Sequence, residues 1–333
     1  MSRSDSGDLG GSTMTGRERA TAGPTTRSGS AGDAHFAAQR PLLFSIAYQI
    51  LGSVSDAEDA VQESYLRWRG VDHSQVENPR AYLAQTAARQ ALMMVRSAAR
   101  RRAREQYIGP WLPEPLAATG AGDQEGDGPY HLLTAEQASM AMLLVLEQLN
   151  PEQRAAFVLR EVFAFGYGEI ATALGKSEAA VRQLNSRARR QVHAHRPPTP
   201  APPAEVRSLL ERLLRAIAEG EVQQVMDLIA PDAVAISDGG GQVNAARLPV
   251  IGREKIARFI FGVIRLGRRE GTVSFVIAEY NGGPALLSMI DGRIDSITMV
   301  EVEGGLLKAG YTVRNPDKLN APGGGARPRG EPH

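Results

Sequence analysis

The chain has 333 residues, a formal net charge of +1, 23% charged residues and no cysteine. That length suits two or three domains with separate cores, and the missing cysteine excludes disulfides, thiolate metal sites and cysteine nucleophiles. A near-neutral balance carries no nucleic-acid signature for the whole chain, so any such signature has to lie in local segregation of charge.

Eighteen of the first 34 residues are Gly, Ser or Thr. Residues 1–34 are therefore expected to form a disordered extension, because they have too little apolar surface to offset their ordering entropy. Order is expected from about His35. Leu42, Leu43, Ile46, Ala47, Ile50 and Leu51 recur at helical spacing up to Gly52. Asp56 reads as the cap of a second amphipathic helix ending at Trp68, and Pro79 opens a third that runs to about Gln106. Residues 35–108 thus read as one all-helical unit with Trp68 and Tyr82 in its core. Its charge is segregated. Asp56, Glu58, Asp59 and Glu63 have no base between residues 53 and 66, whereas Arg96, Arg100, Arg101, Arg102 and Arg104 cluster at the end of the third helix.

Residues 109–133 are rich in Pro and Gly and read as a linker. A second all-helical unit follows over 134–195, with helices at about 134–149, 151–162, 167–174 and 177–193. Within it, residues 167–190 have helix-turn-helix anatomy: a short helix with Ile170 and Leu174 inward, a turn at Gly175, and a longer helix with Val181, Leu184 and Ala188 inward. Lys176, Ser177, Glu178, Arg182, Gln183, Ser186, Arg187 and Arg190 lie at the turn and on the opposite face. Ser177 is a natural N-cap, so the start of the helix suits base edges and its later arginines suit phosphates. Turn, cap and basic cluster coincide, which favours DNA over a merely solvated helix face.

Residues 196–204, RPPTPAPPA, form a semi-rigid spacer. Beyond it Leu209, Leu210, Leu213, Leu214 and Ile217 make one helical face. The period then shifts to strands: VSFVIAEY, ALLSMI, RIDSITMVEV and LKAGYTV, broken at Asn281-Gly282 and Asp291-Gly292. Residues 205–320 read as an α+β domain, and 321–333 as a flexible tail. No apolar run reaches the roughly 20 residues of a membrane span and no signal peptide is present, so a cytoplasmic protein is expected. His193 and His195 show no metal spacing and read as solvated; no metal and no cofactor are expected.

Two long stretches carry a family resemblance. LLFSIAYQILGSVSDAEDAVQESYLRW with NPRAYLAQTAARQALMMVRSAARRR resembles region 2 of extracytoplasmic-function (ECF) RNA polymerase sigma factors. LEQLNPEQRAAFVLREVFAFGYGEIATALGKSEAAVRQLNSRARR resembles their region 4. The resemblance implies a promoter-specificity subunit that makes no bonds itself and whose partners are core RNA polymerase, at its β′ clamp and β flap, and promoter DNA. It places polymerase contacts on Asp56, Glu58, Asp59, Gln62 and Glu63, since an acidic face repels DNA and suits a basic protein partner. It places −10 element contacts on Asp72, His73, Asn78, Arg80, Arg96, Arg100 and Arg101, in the segment that receives a flipped base and on the basic helix beyond it. The helix-turn-helix residues take the −35 element.

The last 130 residues resemble the SnoaL-like, NTF2-like cone domain that a subgroup of these factors carries. Three motifs sharpen this: WLPEP at 111–115, DGGGQ at 238–242 and NPDKL at 315–319. Gln242 stands where the subgroup usually has lysine, which puts a charged contact there in doubt. The resemblance implies regulatory contacts between the C-terminal domain, the linker and region 2 through Trp111, Leu112, Pro113, Asp238, Gly239, Gly240, Asn315, Pro316, Asp317, Lys318 and Leu319. DGGG has no following Gly-Lys-Ser/Thr and reads as a turn rather than a phosphate cradle. The rival readings are a helix-turn-helix regulator with a ligand-sensing cone, or an enzymatic cone using Asp227, Asp232, Asp238 or Tyr280.

Overall fold

The computed structural model describes residues 26–105, 107–117, 139–195 and 199–319, with side chains described from residue 32 onward except at 98–105. Arg100, Arg101, Arg102 and Arg104 lie on a described helix, but their side chains fall outside the described residues. So do residues 1–25, most of the linker from 118 to 138, and the tail beyond 319.

The first helix, α1 (Thr26–Leu51), begins upstream of the expected onset at His35. Tertiary contacts account for this difference: Trp68 Nε1 donates to Gly32 O at 2.8 Å and Tyr65 OH to Asp33 at 3.1 Å. The last part of the Gly/Ser-rich segment thus gains partners that composition does not reveal. Next come α2 (Val54–Arg69), a 3₁₀ turn at His73–Gln75, and α3 (Pro79–Glu105). Ser53, not Asp56, is the N-cap of α2: its hydroxyl accepts from the Asp56 amide, leaving Asp56 in the first turn.

The second helical set comprises α4 (Met140–Glu147), α5 (Pro151–Phe157), α6 (Tyr167–Leu174) and α7 (Glu178–His195). The expected helix at 151–162 changes register, its second half being a π turn at Val158–Val162. Asn150 and Gln153 form a capping box before α5, and Gly175 ends α6 at φ 64°. The two helical sets share one apolar core: Phe44, Ile46, Trp68 and Leu83 join Leu146, Val158, Ile170 and Val181 in a single cluster.

The α+β fold class expected of the C-terminal domain is what the structure has. Helices α8 (Pro203–Glu219), α9 (Val222–Asp227) and α10 (Arg253–Glu270) pack against strands β1 (Ile229–Asp238), β2 (Val250–Ile251), β3 (Val273–Tyr280), β4 (Gly283–Ile290), β5 (Arg293–Glu303) and β6 (Leu306–Val313). A one-turn helix, α11 (Pro316–Leu319), follows. Sheet order is β2-β1-β6-β5-β4-β3, antiparallel except for the β1/β6 pair. Asn281 and Asp291 hold positive φ in the two predicted hairpin turns.

The sheet buries both faces. Leu209, Leu210, Leu213, Ile229 and Ile256 fill one side under the helices. On the other, Tyr280, Leu287, Ile297 and Val313 pack against Leu112 and Ala117 of the linker and against Met140 and Ala141 of α4. The start of the expected linker is therefore a buried strap between the helical domains and the sheet, with Leu112 to Ala117 all buried. No helix among the described residues is long and apolar enough to cross a membrane.

Candidate functional site

The three motifs singled out in the sequence meet at one place. Asp238 ends β1 with its side chain fully buried. It forms an ion pair with Lys318 of α11 at 2.6 Å, accepts from the Leu112 amide at 2.9 Å and from Tyr107 OH, and receives the Gly240 amide at 2.9 Å. Lys318 Nζ also donates to Leu112 O and lies 4.2 Å from the Trp111 ring centroid, where the ring face attracts a cation. Asn315 Nδ2 donates to Tyr107 OH at 3.2 Å. A buried charge pair survives only with such a full set of hydrogen bonds, and this pair draws them from all three motifs.

Gly240 shows why the turn is glycine. Its φ is +61°, and a Cβ there would lie 2.4 Å from Asn315 Nδ2. DGGG is thus a docking turn for NPDKL and not an isolated hairpin. Gln242 donates to Asp317 at 2.6 Å, so the departure from lysine keeps a polar contact at that position.

The other edge of the strap grips the α1–α2 junction. Glu114, 8% exposed, accepts from the amides of Val54 at 2.7 Å and Ser55 at 3.2 Å and from Ser53 Oγ at 2.9 Å. A carboxylate at the helix N-terminus satisfies two orphan amides and complements the helix dipole. Its own amide donates to Gly52 O at 2.8 Å, and Tyr48 OH donates to its carbonyl at 2.9 Å. Asn281, in the β3–β4 turn, continues the chain of bonds: it donates to Tyr48 OH at 2.8 Å and accepts the Leu116 amide at 3.0 Å. Gly52 has φ +67°, and a Cβ there would meet Trp111 at 3.0 Å. Glu114, Tyr107 and Asn281 escape a sequence reading. Glu114 lies inside WLPEP, but its partner is about 60 residues upstream, which no local pattern exposes.

On α2 the acidic residues are unequal. Asp59, Gln62 and Glu63 are exposed, Asp56 and Glu58 half-buried. Glu58 pairs with Arg40 of α1 at 2.6 Å and Glu63 with Arg67 at 3.3 Å, bases that lie outside the base-free window of residues 53–66.

The residues expected at the −10 element are partly occupied within the chain. Asp72 accepts from Ser74 and Gln75, hydrogen bonds that hold its carboxyl below the usual range. His73 stacks on Trp68 at 4.2 Å. Asn78 caps α3 by accepting from the Ala81 amide at 3.0 Å, and Arg80 lies 5.5 Å from the Phe165 ring centroid. Arg96 pairs with Glu152 at 2.5 Å, and that same carboxylate holds Lys176 at 3.0 Å. One acid therefore engages a candidate from each DNA-binding set.

On α7, Ser177 caps by accepting from the Ala180 amide at 3.3 Å, and Arg182, Gln183, Ser186, Arg187 and Arg190 are exposed on one face. Arg182 pairs with Glu178 at 3.0 Å and covers the Tyr167 ring at 4.4 Å. Val181 and Ala188 are fully buried, while Leu184 is only half-buried. Asn185, 1% exposed, faces inward and donates to Glu161 at 2.7 Å. The face thus exposes Arg182, Arg187 and Arg190, the first of them paired with Glu178.

The four carboxylate and phenol candidates of an enzymatic cone are not gathered into one site. Asp238 serves Lys318, Asp232 pairs with Lys308 at 2.6 Å, Asp227 accepts from Gln223 at 2.9 Å, and Tyr280 bridges to Ala117. His193 and His195 are exposed. Among the described residues, no group of His, Cys, Asp or Glu has metal-binding geometry.

Family models agree with this layout. Sigma-70 region 2 matches residues 35–101, and Sigma-70 region 4 matches residues 139–192. The ECF RNA polymerase sigma factor SigJ of Mycobacterium tuberculosis is 38% identical over 294 residues, covering 85% of this chain and 92% of that protein. The probable ECF RNA polymerase sigma factor SigI of the same species is 26% identical over 284 residues, covering 85% and 93%. The crystal structure of Mycobacterium tuberculosis SigJ superposes with a TM-score of 0.68 at 35% identity, over 86% of this chain and 98% of that one. Those matches favour an alternative sigma factor directing transcription over a free-standing helix-turn-helix regulator. The chain belongs to the ECF RNA polymerase sigma factors.

Proposed function

We propose that this sigma factor is governed from within, its C-terminal domain setting the state of the polymerase-facing helix α2 through the buried strap. The observation that carries this reading is Glu114: its carboxylate completes the first turn of α2 while Leu112 and Leu116, on either side of it, are held by Asp238, Lys318 and Asn281. Loss of the C-terminal grip frees the strap, and a free strap leaves the α2 amides without their acceptor.

In this reading Asp59, Gln62 and Glu63 meet the polymerase clamp, with Asp56 and Glu58 at the edge of that surface. The α7 face carrying Arg182, Gln183, Ser186, Arg187 and Arg190 reads the −35 element, with Lys176, Ser177 and Glu178 at its leading end. Asp72, His73, Asn78, Arg80 and Arg96 serve the −10 element once polymerase has drawn them from their internal partners, and Arg100 and Arg101 extend that set along α3. The protein itself has no catalytic role, acts in the cytoplasm, and uses its C-terminal domain as a regulator.

Transcription with purified core polymerase tests this. Full-length protein should direct initiation from a cognate promoter and bind core in a pull-down. Deleting residues 205–333, or only 314–333, should change the level of initiation while the shared helical core stays folded. Equal output from all three proteins would reduce the C-terminal domain to a passenger.

A further inference from the structure

A cavity of about 460 Å³ lies where three parts of the chain converge: the Pro-rich segment 199–203, the start of α4, and the sheet at the β3–β4 turn and the ends of β5 and β6. It is within the size range of small-molecule sites. Met140, Ala141, Pro202, Val206, Met299 and Val302 give it an apolar wall. Its polar wall is Glu301, Glu303, Lys308 and Tyr311. Tyr311 and Met299 belong to the core on the sheet face turned away from α8–α10, whereas Val206 and Val302 belong to the core under those helices, so the cavity lies where the two cores and the start of α4 meet.

The charges at the polar wall do not balance. Lys308 is held by Asp232 at 2.6 Å and by Glu303 at 4.0 Å. It is the only Lys or Arg among the described lining residues. Glu301 is half-buried and accepts a hydrogen bond from Tyr311 OH at 3.1 Å. Desolvation raises its carboxyl above the usual range, with smaller opposing help from the Tyr311 hydroxyl and a further push from Glu303. The two lining acids, Glu301 and Glu303, thus face one base already committed to Asp232 beside an apolar wall, an arrangement that repels anions and rewards a cation with an apolar body.

We propose that this cavity binds a small amphiphilic amine, its ammonium group on Glu301 and its apolar body against Met140 and Met299. Because the walls come from α4, the Pro-rich spacer, the start of α8 and the C-terminal sheet, occupancy ties the region 4 helices to the regulatory domain and stabilises that packing by mass action. Binding is read on the free protein, so the inference stands or falls independently of the transcriptional reading.

The test is calorimetric titration of the full-length protein with octylammonium, octanol and octanoate, each in two buffers of different ionisation enthalpy. Octylammonium should bind at one site at least about tenfold more tightly than the other two, the worth of one charge-assisted hydrogen bond. At a pH within the range over which Glu301 titrates it should also release protons, because a bound cation favours ionised Glu301. Glu301→Gln should abolish both the preference and the proton release. Tyr311→Phe keeps the ring but removes the hydroxyl that favours ionised Glu301, so proton release should rise; this second variant keeps the test decisive should Glu301→Gln fail to fold. Equal binding of octanol, tighter binding of octanoate, no saturable binding, or unchanged proton release in either variant would overturn the proposal.

Discussion

Asp238 and Lys318 are 80 positions apart in the sequence and 2.6 Å apart in the fold, with side chains 0% and 7% exposed. Removing one partner strands the other charge in the interior. Lys318→Met is expected to cost about 3–5 kcal/mol, and adding Asp238→Asn should return most of that loss. Chemical denaturation of the two variants measures it. If the double variant is no more stable than the single, the pair is not the source of the cost.

Glu114→Ala takes the acceptor from the first turn of α2 and should cost about 0.5–2 kcal/mol, the range for a lost helix cap. Hydrogen exchange gives the sharper readout. The amides of Val54 and Ser55 should exchange faster, whereas those in the middle of α7 should not change.

Asn281 is best tested as Asn281→Gly, because φ is 51° and glycine tolerates that geometry. The variant leaves a buried Tyr48 hydroxyl and the Leu116 amide short of a partner, a loss of about 1–3 kcal/mol. The Trp111 fluorescence spectrum should shift red as the strap loosens, together with a lower denaturation midpoint.

The acidic stretch of α2 was legible because no base interrupts it, and the helix-turn-helix could be read from Ser177, Gly175 and the inward Val181 and Ala188. The α+β class was equally open, since Asn281-Gly282 and Asp291-Gly292 punctuate alternating strands. What periodicity could not supply was company. Ser53 and Asp56 are both plausible caps by residue type, and only the folded chain shows the Ser53 hydroxyl receiving the Asp56 amide. Leu112 and Glu114 sit among prolines and read as spacer, because the partners that bury them, Asp238, Lys318 and the start of α2, are far away in sequence. Asn185 carried no signal for the same reason, its partner Glu161 lying in a preceding turn.

For the α7 face, Arg187→Ala in the polymerase holoenzyme should weaken promoter binding across sequences and lower the salt slope by about 1, as loss of one phosphate contact does. Arg182→Ala should instead change which upstream element is preferred. Binding measured over a salt series on two promoter sequences separates these outcomes.

Burial raises the Glu301 carboxyl above its ordinary value of 4.5. The folded chain therefore holds this proton more tightly than the unfolded chain. The stability this contributes is complete below 4.5 and is lost as pH climbs through the raised value. Thermal melts over a pH series should show Glu301→Gln losing less stability than the parent across that window. Parallel curves would contradict it.

Region 2 and region 4 bury their apolar side chains in each other, with Arg89 of α3 donating to the Ala173 carbonyl at the end of α6 and Arg154 of α5, its side chain 5% exposed, donating to Ile50 O. On the proposed assignment of the −35 element to α7 and the −10 element to the segment leading into α3, reaching both elements would require these packed surfaces to part. Parting them would uncover apolar surface that water penalises, so on that reading the polymerase would supply a substitute lining as well as a landing place. On that reading, binding to core would be coupled to a partial turning-out of this protein's interior, and the strength of the free fold would weigh against promoter recognition.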